Sequence, residues 1–290
     1  MKRKWLSHKA WILLAAAVLS AAAVHGDDAV PFTSAAEEGD LVTFGKYEQD
    51  PDDDGDSFRA LEWRVLEKTD DGALLITDKV IAALPFESAD ERTETDDLKK
   101  TWEECSLRSW LNDVFPQIAF SAEEQDLIRT TEVSTPDNGD IDGGEDTEDK
   151  VFLLSGEEAR KYFERKTDRQ AQATARAAEA DEGLTVFRSE LADDNVFWWL
   201  RSPGSKEECA QAVGAEGSVA EGGYLVSRLD IGVRPVIRAE MPEKEVSESG
   251  GNRDYGTPVV PEGTGVQDYP GAQGDLTDSV TETDGVLAPP

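Results

Sequence analysis

The chain has little histidine, little cysteine and little positive charge. Its two histidines, His8 and His25, both precede Asp27. Beyond residue 26 there is none, which excludes histidine-based catalytic triads and the usual histidine zinc centres from that part. Only two cysteines occur, Cys105 and Cys209. In an oxidising compartment they either pair across a long loop or stay as two free, partly buried thiols, and the sequence leaves both readings open. Lys and Arg number 29 against 62 Asp and Glu, for a formal net charge of −33. Such a chain repels phosphate backbones and anionic lipid, so nucleic acid is not an expected partner. The same acidity suits a solvated surface, or draws cations such as calcium.

Long apolar runs are also scarce. One stretches from Ala10 to Val24, after the basic start Met1-Lys2-Arg3-Lys4. It is short for a membrane span, which takes about 20 apolar residues. Small residues at Val24 and Gly26 suit cleavage before Asp27, so residues 1–26 read as a secretory signal peptide. The alternative is an uncleaved anchor lengthened by Trp5, Leu6 and Trp11. The expected location is secreted or extracellular, with cell-surface association open and no membrane insertion once the signal is removed.

Residues 27–40 read as a polar leader and 41–240 as one globular domain of about 200 residues, an ordinary domain size. Residues 241–290 are rich in Pro, Gly, Thr, Ser, Asp and Glu, with few large apolar side chains. That composition cannot bury a core and predicts a disordered tail. Within the domain, Leu41 to Tyr47, Leu61 to Leu66 and Ala73 to Thr77 have strand patterns, the last after an Asp70-Asp71-Gly72 turn. Thr101 with Glu104, Ser121 with Glu124 and Ser155 with Glu158 carry the capping-box spacing. The first predicted helix sets Leu107, Trp110 and Leu111 on one face, and the third offers Ala159, Tyr162 and Phe163. Val151 to Leu154, Val196 to Leu200, Tyr224 to Val226 and Val233 to Ile237 are further predicted strands. Strands at both ends with helices grouped between them give an α+β class.

An ordered series of strings resembles a known bacterial family. It runs from Phe44-Gly45-Lys46-Tyr47 and Glu62-Trp63-Arg64-Val65-Leu66 to Leu107-Arg108-Ser109-Trp110-Leu111-Asn112. It continues through Asp149-Lys150-Val151-Phe152-Leu153-Leu154-Ser155 to Trp198-Trp199-Leu200-Arg201-Ser202-Pro203-Gly204 and Gly232-Val233-Arg234-Pro235. The family is the domain of unknown function 6273, often found beside cell-surface modules, and the resemblance covers roughly Leu41 to Ala239. The layout is also similar to C-type-lectin-like and sulfatase-modifying-factor domains. That similarity implies a single lectin-like domain with a central antiparallel sheet and a few flanking helices. It supplies no catalytic residue. The sulfatase-modifying enzymes use an active-site cysteine pair, whose motif Cys105 and Cys209 do not match.

Candidate sites follow from chemistry. Asp50, Asp52, Asp54 and Asp56, with Gly55, alternate in the manner of a calcium loop, although Glu62 falls one position late for a bidentate ligand. The plainer reading is a solvated hairpin loop. Asn138-Gly139-Asp140-Ile141-Asp142-Gly143 has similar spacing. Trp198 and Trp199 point to opposite faces of a strand, so either both are buried in a two-sided sheet or one is exposed to stack on a sugar or peptide. Arg201 and Arg234 suit buried pairing with acids such as Glu62 or Asp149, or else an anion site. Ser202-Pro203-Gly204 reads as a turn, and Gly214 to Gly223 as a mobile glycine-rich loop beside it. The ligand-binding candidates are therefore Trp198, Trp199, Arg201, Ser202 and Arg234. Three functions compete. The first is a secreted, non-catalytic interaction module for a glycan or protein at a bacterial or host surface. The others are an extracellular carboxylate-dependent hydrolase and a structural domain of a surface assembly.

Overall fold

The computed structural model describes residues 29–50, 58–70, 72–88, 100–179 and 194–242. The expected signal segment lies outside these residues, as does the expected disordered tail apart from Met241 and Pro242. Among the described residues no helix is long and apolar enough to cross a membrane.

The class is α+β. The strands are β1 (Val30–Pro31), β2 (Leu41–Glu48), β3 (Phe58–Thr69), β4 (Gly72–Thr77), β5 (Ala82–Ala83), β6 (Thr131–Val133), β7 (Thr147–Asp149), β8 (Val151–Phe152), β9 (Trp198–Pro203), β10 (Cys209–Val213), β11 (Val219–Leu225), β12 (Gly232–Val233) and β13 (Val236–Ala239). The helices are short: α1 (Ser106–Ser109), α2 (Phe115–Ala119), α3 (Ala122–Leu127), α4 (Gly156–Tyr162), α5 (Lys166–Arg169) and α6 (Ala175–Glu179). A π-helical turn, Trp110–Val114, joins α1 to α2.

In place of one central antiparallel sheet there are two larger sheets and a ribbon. One sheet has the order β1-β2-β3-β4-β13-β8, the other β11-β10-β9-β12-β5, and β6 pairs with β7. Both larger sheets are mixed, since β1 runs parallel to β2 and β12 parallel to β9. The predicted strand Val233 to Ile237 is in fact two strands in different sheets, β12 and β13. Pro235 accounts for the break: it has no N–H to donate to a ladder. The chain crosses from one sheet to the other at Arg234-Pro235, and the Pro235 carbonyl accepts from Thr77 N at 3.0 Å.

The stretch expected as a polar leader joins the fold from Val30 onward. β1 pairs with β2 through Val30↔Val42 and Pro31↔Thr43. Phe32 is buried, with its ring 5.9 Å from that of Phe44. At the other end, Ser34 N donates to Pro242 O at 3.3 Å. The first and last described segments therefore meet.

Local rules account for much of the rest. Ser121 and Ser155 form full capping boxes with Glu124 and Glu158. Thr101 does not: its side chain makes no cap bond, a short 3-10 turn, Trp102–Glu104, follows it, and its buried hydroxyl has no partner. Such a turn tightens the chain before four helical N–H groups are free to be capped. Gly45 sits at φ +72° where β2 bulges between Thr43 and Lys46. A side chain there would lie 2.6 Å from the Phe120 ring, so only glycine lets β2 meet the start of α3 so closely. The core behind these elements includes Trp63, Trp102, Trp198, Trp199, Phe86, Phe115 and Phe120, all buried. Burying each large apolar side chain contributes about 1.5–3 kcal/mol.

Candidate functional site

The string after Phe197 becomes β9, a central strand of its sheet, flanked by β10 and β12. Both tryptophans are 0 % exposed, which removes them as a contact surface. They do point to opposite faces, and each face is covered. The Trp198 indole N–H donates to Arg169 O in α5 at 3.0 Å, and the Trp199 indole N–H donates to Leu84 O at 2.9 Å. The Phe86 ring lies edge-on to Trp199 at 5.8 Å. Each indole thus buries its rings and satisfies its one donor.

Arg201 is buried and fully engaged. Its guanidinium donates to Leu153 O at 2.7 Å and twice to Ser134 O, at 3.1 and 2.7 Å. It also pairs with Glu158. Glu158 is the capping glutamate of α4, and it accepts from Ser155 N at 2.9 Å. Beside it the Ser202 hydroxyl accepts from Gly156 N at 3.0 Å. Arg201 and Ser202 therefore fasten the N-terminus of α4 to β9. The expected partners, Glu62 and Asp149, are not the ones used. Asp149 instead accepts from Arg108 Nε at 2.7 Å, from the Trp102 indole at 3.0 Å and from the Thr147 hydroxyl at 2.6 Å.

Arg234 is buried as well, yet differently. Its Nε and Nη2 both donate to Thr77 O, at 3.0 and 2.8 Å. The guanidinium carbon lies 4.8 Å from the Trp198 ring centre and 5.7 Å from that of Phe163. Burial lowers its pKa from the ordinary guanidinium value to about 10, against the opposing pull of Asp78.

The metal expectations fare as follows. Asp50 is half-buried at the end of β2, beside Gln49, whose amide clasps Arg59 O and Ala60 O at 3.1 and 2.9 Å. Asp52, Asp54 and Asp56 lie outside the described residues. In the second acidic run the carboxylates close turns: Asp137 accepts from Gly143 N and Asp142 from Gly144 N, both at 2.9 Å. Among the described residues no three His, Cys, Asp or Glu side chains converge as a metal set. Asn138, singled out only as part of that run, ties the loop to the second sheet. Its amide donates to Pro203 O, Gly204 O and Glu221 O at 3.2, 2.9 and 3.0 Å.

Both cysteines are free thiols. Cys105 is buried, and burial pushes its pKa well up. Burial, with Glu208 nearby, raises Cys209 too. Neither is set up as a thiolate nucleophile.

The segment Gly214 to Gly223 is a hairpin rather than a mobile loop. β10 and β11 pair from Val213↔Val219 to Cys209↔Leu225. Its outer end carries a surface that the tryptophan string drew attention away from. Phe197 and Tyr224, each half-buried and packed against the core, meet edge to face at 5.6 Å. Arg228 sits 5.5 Å from the Tyr224 ring centre and donates from Nε to Asp230 at 2.7 Å. Leu225 and Leu229, on the same stretch of chain, are 53 % and 57 % exposed. Partial burial raises the Tyr224 pKa, with Arg228 opposing. The available signal was Phe197 itself, the aromatic that precedes two residues locked inside a sheet.

No curated protein and no solved structure gives a significant match to the chain. The family described as domain of unknown function (DUF6273) matches residues 71–240. β1, β2 and β3 precede that span and complete its first sheet. With more than half of its length matched, and with the buried β9 string and the Arg234-Pro235 crossing inside the match, this chain belongs to the DUF6273 family.

Proposed function

We propose that this chain is an extracellular, non-catalytic interaction module that binds a glycan or a protein at a bacterial or host surface. One observation carries the reading: the edge-to-face pair of Phe197 and Tyr224, with Arg228 over the Tyr224 ring and exposed Leu225 and Leu229 on the same stretch of chain. Aromatic and arginine side chains in partly buried clusters are the groups that most often anchor binding partners. A tyrosine face also stacks on the apolar face of a sugar, while Asp230 and Arg228 supply polar contacts at its rim. The basic start and apolar run of residues 1–26 support the extracellular location.

The finer fold reading, a C-type-lectin-like domain, belongs to the same proposal. It is supported by the meeting of the first and last described segments at Ser34 and Pro242, and by a second sheet that carries the hairpin. An array of glycans and surface proteins, probed with the purified chain and with Tyr224→Ala, tests the binding reading. Wild-type binding to at least one class, reduced tenfold or more by the substitution, is the expected result. Equal binding by both proteins would remove this face as the site. No binding anywhere would favour a structural role.

A further inference from the structure

Of the four asparagines, Asn112, Asn138, Asn195 and Asn252, only Asn138 precedes a glycine. It opens a tight turn. Asn138 N donates to Ile141 O at 2.9 Å, and Ile141 N donates to Asn138 O at 3.1 Å. Gly139 holds the first central position at φ +66°, as a two-residue hairpin loop of the II′ kind requires. It is exposed, and a side chain built on it would meet nothing within 4 Å. Gly139 thus stands in solvent, with no side chain to shield its peptide nitrogen.

The Asn138 side chain is held from the other direction. Its amide faces Pro203 O, Gly204 O and Glu221 O at 3.2, 2.9 and 3.0 Å. Carbonyls only accept, so the atom among them must be the amide nitrogen. Its two hydrogens are shared among three acceptors. These bonds tie the turn to the connection between β9 and β10 and to the edge strand β11.

We infer that Asn138 is a site of spontaneous deamidation, and that the reaction releases the Asn138–Ile141 turn from the second sheet. The Gly139 peptide nitrogen, giving its proton to hydroxide, attacks Cγ of Asn138. The new C–N bond closes a succinimide ring while the Cγ–Nδ2 bond breaks, and the departing nitrogen takes a proton from water to leave as ammonia. Water then opens the ring at either carbonyl, giving aspartate or isoaspartate. In the product a carboxylate, which only accepts, replaces the donor among the three carbonyls. Isoaspartate also adds a methylene to the backbone within the Asn138–Ile141 pairing. Ring closure requires the side chain to leave the carbonyls first, so these three bonds set the rate in the folded chain.

The test is ageing of the full chain at neutral pH, folded and in urea, followed by peptide mapping with mass spectrometry and enzymatic methylation of isoaspartate. Asn138 should convert in the folded chain ahead of Asn112, Asn195 and Asn252, and several-fold faster in urea. Asn138→Gln, whose ring closure is slower, should stay unconverted at this position. Hydrogen exchange of the aged chain and of Asn138→Asp should rise at Asn138 and Ile141 and at residues 204–205 and 221–222, and stay unchanged in α3. Should Asn138→Asp fail to fold, the aged wild-type chain carries the same readout. Asn138 intact in the folded chain after complete conversion in urea would overturn the site, and so would another asparagine reacting first. An unchanged exchange pattern after conversion would overturn the release.

Discussion

Arg201 and Arg234 close neighbouring strings of the same sequence signature, and both are buried in the second sheet or at its edge. Their surroundings differ. Arg201 meets one carboxylate and two carbonyls through every nitrogen it has. Arg234 meets one carbonyl and two aromatic faces, and keeps one nitrogen unpaired. The comparison teaches that a signature arginine is not one kind of residue. The first fastens a helix terminus to a strand. The second is a cation without its own counter-charge.

The largest expected effect breaks the first of these regions. Arg201→Met leaves Glu158 beside an apolar side chain and strips donors from Ser134 O and Leu153 O. Breaking a buried pair from one side costs about 3–5 kcal/mol, and with Glu158 a third exposed the loss should fall at the low end of that range. Urea unfolding monitored by tryptophan fluorescence should show a much lower midpoint with an unchanged slope. Arg234→Met should cost less, about 0–2 kcal/mol, because the loss of two bonds to Thr77 O is offset by relief of an unneutralised cation. Equal losses for the two variants would erase the distinction between the regions.

The capping boxes sharpen the same comparison at smaller magnitude. Ser155→Ala removes the hydroxyl that accepts from Glu158 N at 3.1 Å, within the cluster that Arg201 anchors. It should cost about 1 kcal/mol. Thr101→Val has the matching sequence pattern but no cap bond to lose, and it removes a buried hydroxyl without a partner. It should be neutral or slightly stabilising. Paired urea curves for the two variants check both signs.

These cases show what was legible in the sequence. Two of three capping boxes formed because the signal is local and its atoms lie within one turn. The α+β class and the cores of β2, β3 and β4 followed from alternation and turn residues in the same way. The partner of Arg201 did not, since Glu158 lies 43 positions away and nothing local distinguishes it from many other acids. Burial of both tryptophans was one of two readings, and it was decided by α5 on one face and the Leu84–Phe86 segment on the other. The split at Pro235 was readable in principle, because proline cannot continue a ladder. The apolar residues on either side masked it. The glycines of the hairpin suggested mobility. Gly223, at φ +72°, instead lets β11 approach Ala210 O in a bulged pairing.

At the edge of the second sheet, where the proposed function resides, the expected effect on stability is modest. Trp199 and Tyr224 are both aromatic residues of that sheet, one wholly enclosed and the other half-buried on the edge strand. Tyr224→Ala loses an edge-to-face contact with Phe197 and a cation–π contact with Arg228. Each is worth about 0.5–1.5 kcal/mol at most, and solvent-facing examples lie at the low end. With the partial burial of its ring against the core included, the variant should cost about 1–2 kcal/mol. Arg228 remains held by Asp230 at 2.7 Å, so the local charge pattern survives the change. What should fall is binding, by tenfold or more in titration calorimetry against any ligand the array identifies. Trp199→Ala should do the reverse, costing about 3–5 kcal/mol of stability while the surviving folded fraction keeps its affinity. If Tyr224→Ala instead unfolds the domain, its ring belongs to the core rather than to a contact surface. The edge of the sheet would then be as structural as its centre.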